Sequence, residues 1–146
     1  MKPISHSFLD WVVARLKEAI PAELKADVPV YDDRSIDLPQ LIAKAVNKGL
    51  GACVAVSLPG LSKEGDPEPS NTQYRVTVEV GVAHNAAVKS DLNSHALAET
   101  LFRSFAGAEF HSGGVMAFDV GVDDLHSTVQ NAHLTHLFSV YYTLTI

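Results

Sequence analysis

Between residues 72 and 82 the chain alternates apolar and polar side chains more regularly than anywhere else. Tyr74, Val76, Val78, Val80 and Val82 fall on one side, and Gln73, Arg75, Thr77 and Glu79 on the other. Successive side chains of a strand point to opposite faces, so this run predicts a long strand with one face buried and the other turned to water or a partner. The C-terminal run repeats the pattern, setting Phe138, Val140, Tyr142, Leu144 and Ile146 against Ser139, Tyr141, Thr143 and Thr145. A terminal strand this apolar is expected inside the sheet rather than fraying from it. Met116, Phe118, Val120 and Val122 alternate with Ala117, Asp119 and Gly121 to give another strand, which the polar run at residues 123–127 is expected to break. The apolar run at residues 52–58, closed by Pro59-Gly60, reads as a buried strand. Residues 28–31 are short and β-prone, but Pro29 cannot donate to a ladder and restricts them to an edge.

Three segments carry the helical period instead. Phe8, Val12, Leu16 and Ile20 recur every four residues with Leu9 and Val13 beside them, predicting a helix from about Ser7, capped by Ser7 and Asp10, to the stop at Pro21. Trp11 lies at the edge of that stripe and is expected to pack inward. Asp37-Leu-Pro-Gln40 reads as a helix entrance, with Pro39 in the first turn, Leu41, Ile42, Ala45 and Val46 on the apolar face, and Gly49 or Gly51 at the exit. A third helix opens after Ser90, buries Leu92, Ala96, Leu97, Leu101, Phe102 and Phe105, and stops at Gly107. The connections at residues 32–35 and 111–114 have turn composition. Residues 61–71 contain a run with two prolines and no apolar side chain, predicting a long flexible loop between two strands that is a candidate assembly arm. The sum is an α+β domain: a mostly antiparallel sheet of about five strands with about three helices packed on it, forming one domain over residues 1–146.

Composition narrows the function more than it defines it. Eleven Lys and Arg against 17 Asp and Glu give a formal charge of −6, which opposes capture by phosphate backbones or anionic lipid, so neither nucleic acid nor membrane is an expected partner. The single cysteine, Cys53, sits in an apolar run and reads as an inert buried thiol. The N-terminal segment is amphipathic rather than a signal-type apolar core, and no run approaches the roughly 18 apolar residues of a membrane span. A cytoplasmic protein is expected, one that leaves the cell only within an assembly such as a virion or by lysis.

Candidate chemistry is sparse. Seven histidines invite a metal, but His133 and His136 are three apart on a strand, which points them to opposite faces. His84, His95, His111 and His126 lack a nearby Cys or acid at ligand spacing, and the double acid Asp32-Asp33 lacks further oxygen ligands. Asp119, Asp123 and Asp124 with Glu79 could be drawn as a nuclease-like acidic cluster, yet no lysine accompanies them. No serine has a Gly-x-Ser-x-Gly elbow, Ser112-Gly113-Gly114 has no evident base, and Gly49-Leu-Gly51 follows a helix where a phosphate cradle would precede one. No catalytic, cofactor or metal residue is therefore assigned. A metal-dependent hydrolase or nuclease, or a ligand-binding module, remains the alternative to an assembly protein. What the sequence offers is surface: Arg75, Thr77, Glu79 and Tyr141 on the polar sheet face, and Lys63, Glu64 and Asp66 in the preceding loop, form the expected subunit contact.

The order of these elements resembles the tail terminator and tail-completion proteins of long-tailed bacteriophages, of the minor tail protein U type. The resemblance runs through the opening helix at residues 8–20, the extended piece at 28–31, the Leu38-Pro39 entrance, the valine strand, the helix at 92–105 and the ending Tyr141-Tyr-Thr-Leu-Thr-Ile146. It implies a subunit of a ring, commonly a hexamer, that stops tail-tube growth and joins tail to head. Its partners would be copies of itself, the tail tube and head-completion proteins. That family has no catalytic residues to carry over, and the acidic, proline-containing stretch at residues 63–70 departs from it.

Overall fold

A computed structural model describes residues 4–34, 37–68, 71–88, 90–112, 116–130 and 133–145. Its elements are α1 (Ile4–Ala19), β1 (Val30–Asp32), α2 (Leu38–Ala45), β2 (Ala52–Glu68), β3 (Asn71–His84), α3 (Ser94–Arg103), β4 (Glu109–Ser112), β5 (Met116–Asp119), β6 (Gly121–Gln130) and β7 (His133–Thr145). The main sheet has the order β1-β2-β3-β7-β6, antiparallel throughout except for β1 on β2, and β4 and β5 form a separate two-stranded sheet. The fold is α+β. The terminal strand β7 lies between β3 and β6, and the Pro29-limited piece is at the sheet edge, both as their patterns predict.

The valine face of β3 makes the core. Val76, Val78, Val80 and Val82 are fully buried with Phe138, Val140 and Tyr142 of β7, beneath Phe8, Leu9, Val12 and Leu16 of α1 and Leu97, Leu101 and Phe105 of α3. Each such side chain removed from water contributes roughly 1.5–3 kcal/mol. Trp11 packs inward, stacked on Phe8 with ring centroids 5.7 Å apart. The small sheet closes the far end of this layer with Phe110 and Phe118, whose rings lie 5.2 and 4.8 Å from that of Tyr142. Among the described residues the helix on the opposite sheet face is α2, where Ala45, Val46 and Ile42 meet Cys53, Ala83 and Tyr31.

Local chemistry explains the ends. Asp37 caps α2 by accepting from the Gln40 amide at 3.2 Å, with Pro39 in the first turn. After α2 the chain passes through Gly49 and Gly51, at φ 58° and 74°, to enter β2. Asn93 caps α3 by accepting from the Ala96 amide at 3.0 Å, and Gly107 at φ 69° lies beyond its end. The helix start at Ser7 is corrected: α1 begins at Ile4, because nothing between there and Ser7 breaks a helix, and Asp10 instead accepts from Arg34 Nη1 at 2.5 Å.

Three strand assignments also change. Residues 61–68 are not a loop; they continue β2 along β3, pairing Leu61 with Val76, Ser62 with Arg75, Lys63 with Tyr74 and Glu64 with Gln73. Pro59 and Pro67 fall where the register slips, between Ser57 and Gly60 and between Glu64 and Glu68, and residues 69–70 of the expected loop lie outside the described ones. Such irregularities are where a strand tolerates a missing amide. The turn acids serve the first slip: Asp33 Oδ2 accepts from the Leu58 amide at 2.7 Å, just past the end of β1. The polar run at residues 123–127 does not end a strand but lies within β6, with a bulge between Asp123 and His126. Edge strands carry charge readily. Finally, β4 was not anticipated; the turn expected at residues 111–114 overlaps its end, and residues 113–115 lie outside the described ones.

Tyr142 is an apolar success with a polar cost. Its ring is fully buried, its hydroxyl has no hydrogen-bond partner among the described residues, and burial pushes its pKa up to about 12. Tyr142→Phe should therefore raise stability by about 1 kcal/mol, since an unsatisfied buried hydroxyl costs on the order of 1–3 kcal/mol. Urea midpoints for the two proteins check this, and a destabilised Phe variant would show that the hydroxyl is satisfied in solution.

Candidate interaction face

The second face of the sheet is built from alternate residues of four adjacent strands. Strand register sets Arg75 beside Thr143, Thr77 beside Tyr141 and Gly121, Glu79 beside Ser139 and Asp123, and Gly81 beside Leu137 and His126. Beyond the strip that α2 covers, this face carries polar and aromatic groups rather than a second apolar layer.

Its most organised part is a stack. Gly121 has no side chain, and the Tyr141 ring occupies that space: a Cβ at 121 would stand 2.5 Å from Tyr141 Cζ. The Arg75 guanidinium lies 3.9 Å from the Tyr141 ring centroid, and its Nη1 donates to Asp123 Oδ2 at 3.2 Å. A cation over an aromatic ring contributes about 0.5–1 kcal/mol at an exposed site and more once desolvated. Glycine, tyrosine, arginine and aspartate thus form a plate across β3, β7 and β6, held in place before any partner arrives.

Of the residues singled out from sequence, Arg75, Thr77, Glu79 and Tyr141 share this face, with Arg75 and Tyr141 in direct contact. Lys63 and Glu64 lie in β2 beside the start of β3, and Asp66 lies within the second register slip. The sequence did not pair Asp123 with Arg75, 48 positions away, or Gly121 with Tyr141. Both depend on the bulged strand β6, which its acids disguise.

The other chemical candidates disperse. His133 and His136 fall on opposite faces, His136 opposite core residue Val82. Cys53 is fully buried, and burial pushes its thiol up to about 11, away from thiolate chemistry. Asp119 lies in the small sheet, whereas Asp123 is engaged by Arg75. Among the described residues no group of three or more His, Cys, Asp or Glu is placed to hold a metal ion.

One constellation had no sequence signal at all. Ser94, the first residue of α3, lies 3.0 Å from His84 Nδ1 and 2.9 Å from His136 Nε2, and His136 Nδ1 lies 2.7 Å from the Ser127 hydroxyl. Serine and imidazole at these distances could pass a proton, but Ser94 and His136 are only 5% and 2% exposed, sealed between α3 and the sheet. The chain ties α3, β3, β6 and β7 together. Burial holds His84 below its ordinary value; burial, then charge on His95 and His84, does the same for His136.

No protein-family model matches the chain, and no curated protein matches it. Several solved structures are similar to the chain; one of them matches over 92% of this chain and 94% of its own length, with a TM-score of 0.53 and 19% identity. At that identity the similarity is one of fold. No helix among the described residues is long and apolar enough to cross a membrane.

Proposed function

We propose that this chain is a non-enzymatic subunit of a homo-oligomeric ring in a phage-type tail, where it ends tail-tube growth and joins tail to head. The observation that carries the assembly reading is the Gly121–Tyr141–Arg75–Asp123 plate on the part of the second sheet face that α2 leaves uncovered. Tyrosine and arginine held rigidly are the side chains that most often anchor protein interfaces, because little conformational freedom remains to be lost on contact. The sheet margins support the same reading. Strand β6 forms one edge, and β1 covers the outer side of β2 only as far as Val56. A ring requires each subunit to present two different, complementary surfaces, and an open face with a long strand margin supplies two. The tail-specific part rests on the resemblance in element order.

Size-exclusion chromatography with light scattering should show a defined oligomer at micromolar concentration. Arg75→Glu combined with Tyr141→Ala should raise its dissociation constant about 30-fold or more, the equivalent of a roughly 2 kcal/mol anchor. A monomer at every concentration sinks the ring. An oligomer that neither binds the ends of purified tail tubes in electron micrographs nor arrests tail-tube growth removes the tail assignment and leaves the assembly.

A further inference from the structure

A cavity of about 170 Å³ lies between α2 and the open sheet face, away from the Arg75–Tyr141 plate. Leu38 and Ile42 form its helical wall; Ala55, Ala83 and Leu137 form its apolar sheet wall, and Gly81 leaves space in the sheet where a side chain would intrude. A Cβ at 81 would stand 3.1 Å from Leu137 Cδ2. An apolar cavity of about 150 Å³ is large enough to hold benzene. This one therefore fits a single small ring or a branched chain of similar size.

The polar groups on its lining specify the rest of the ligand. Glu79 brings a carboxylate that has no ion pair among the described residues, within a chain of formal charge −6. The positive end of α2 is already answered, since the Asp37 carboxylate takes the Gln40 amide there. The described lining holds no Lys or Arg for an anion and one carboxylate for a cation. His133 also lines the cavity, and its Nδ1 is buried without a hydrogen-bond partner. A ligand able to bond that atom recovers the cost of leaving it dry.

We infer that the cavity beneath α2 binds a small organic ammonium ion, its benzene-sized apolar body between Ile42 and Leu137 and its charged nitrogen on Glu79. Arg75 and Tyr141 do not line it, whereas Glu79 shares the sheet face with them, so ligand binding and oligomerisation are read separately.

The test titrates the full-length chain with benzylamine, benzyl alcohol and benzoate, read by amide chemical shifts. Benzylammonium should move the signals of Ala55, Gly81 and Leu137 and bind about fivefold tighter than benzyl alcohol, as expected for one half-solvated ion pair; benzoate should bind weakest. Glu79→Gln, at an exposed position that folding does not need, should erase the preference for the amine while keeping benzyl alcohol binding. Ala55→Leu should fill the space and abolish binding of both. Absence of shifts at those three residues, equal affinity for amine and benzoate, or an unchanged amine preference in Glu79→Gln each overturns the assignment. Light scattering on the same samples reports the oligomer separately, so failure of this site and failure of the ring are distinguishable.

Discussion

Phe8→Ala is expected to cost about 3–5 kcal/mol, the usual range for deleting a fully buried aromatic side chain. Phe8 has no exposed surface and sits where three elements converge. Its ring meets Tyr142 of β7 at 4.7 Å and Phe110 of β4 at 5.1 Å, both edge-on, and stacks on Trp11 of its own helix. Truncation removes the transfer energy of the ring and strands three aromatic neighbours around a void they cannot fill together. Domains of this kind have only about 5–15 kcal/mol in total, so the variant should lose much of its urea resistance and bind a hydrophobic dye near ambient temperature. A loss below about 1 kcal/mol in urea titration would show that Trp11 and Phe110 collapse into the space, and that α1 is held elsewhere.

The same cluster shows what could be read from the chain and what could not. The stripe of α1 and the alternation in β3 and β7 announce themselves within a dozen residues, because each buries one continuous face and the period of that face is the period of the element. Whether Phe8 meets Phe110 was not legible: it depends on β4, a four-residue strand with one buried aromatic that offers no period to read. The far half of β2 was hidden for a different reason. Residues 61–68 have loop composition, and their strand geometry comes from β3, to which Leu61, Ser62, Lys63 and Glu64 are paired across the hairpin. In β6 the acids at 123 and 124 concealed a strand that β7 holds from its inner side. Local propensity yields to pairing with a neighbour already ordered by its own core.

That distinction bears on the interaction face. Arg75, Thr77, Glu79 and Tyr141 could be assigned to one surface from alternation alone, because β3 and β7 were both visible. The plate could not, since Gly121 and Asp123 belong to the concealed strand. A glycine facing a tyrosine across two strands is a packing relation in which the missing side chain is the information.

Acid should weaken this fold before its carboxylates titrate. His136 is 2% exposed, and among the described residues the titratable and polar groups recorded against it are Ser94 and His95 of α3, His84 of β3 and Ser127 of β6, none of them an acid. Its imidazole is edge-on to that of His95 at 5.5 Å and close to the positive end of α3. Burial first, then the neighbouring histidines, hold its pKa below the ordinary 6.5. The unfolded chain therefore binds the proton more readily than the folded one, and stability rises with pH wherever their occupancies differ. The His136 contribution is complete above about pH 6.5, falls as pH drops toward the folded-state value, and is flat below it. His84, also lowered by burial, adds to the slope with the same sign. Unfolding free energies at pH 7.5, 6.5 and 5.5 should decline through that window, where surface carboxylates with ordinary values near 4 are still ionised. His136→Ala should cost about 2–3 kcal/mol at pH 7.5, from the lost ring and the lost bonds to Ser94 and Ser127. It should also flatten the decline to the share that His84 retains. A variant as acid-sensitive as the parent would place the proton-sensitive group elsewhere, and a parent equally stable at pH 7.5 and 5.5 would mean that His136 gains solvent or a counter-charge when protonated.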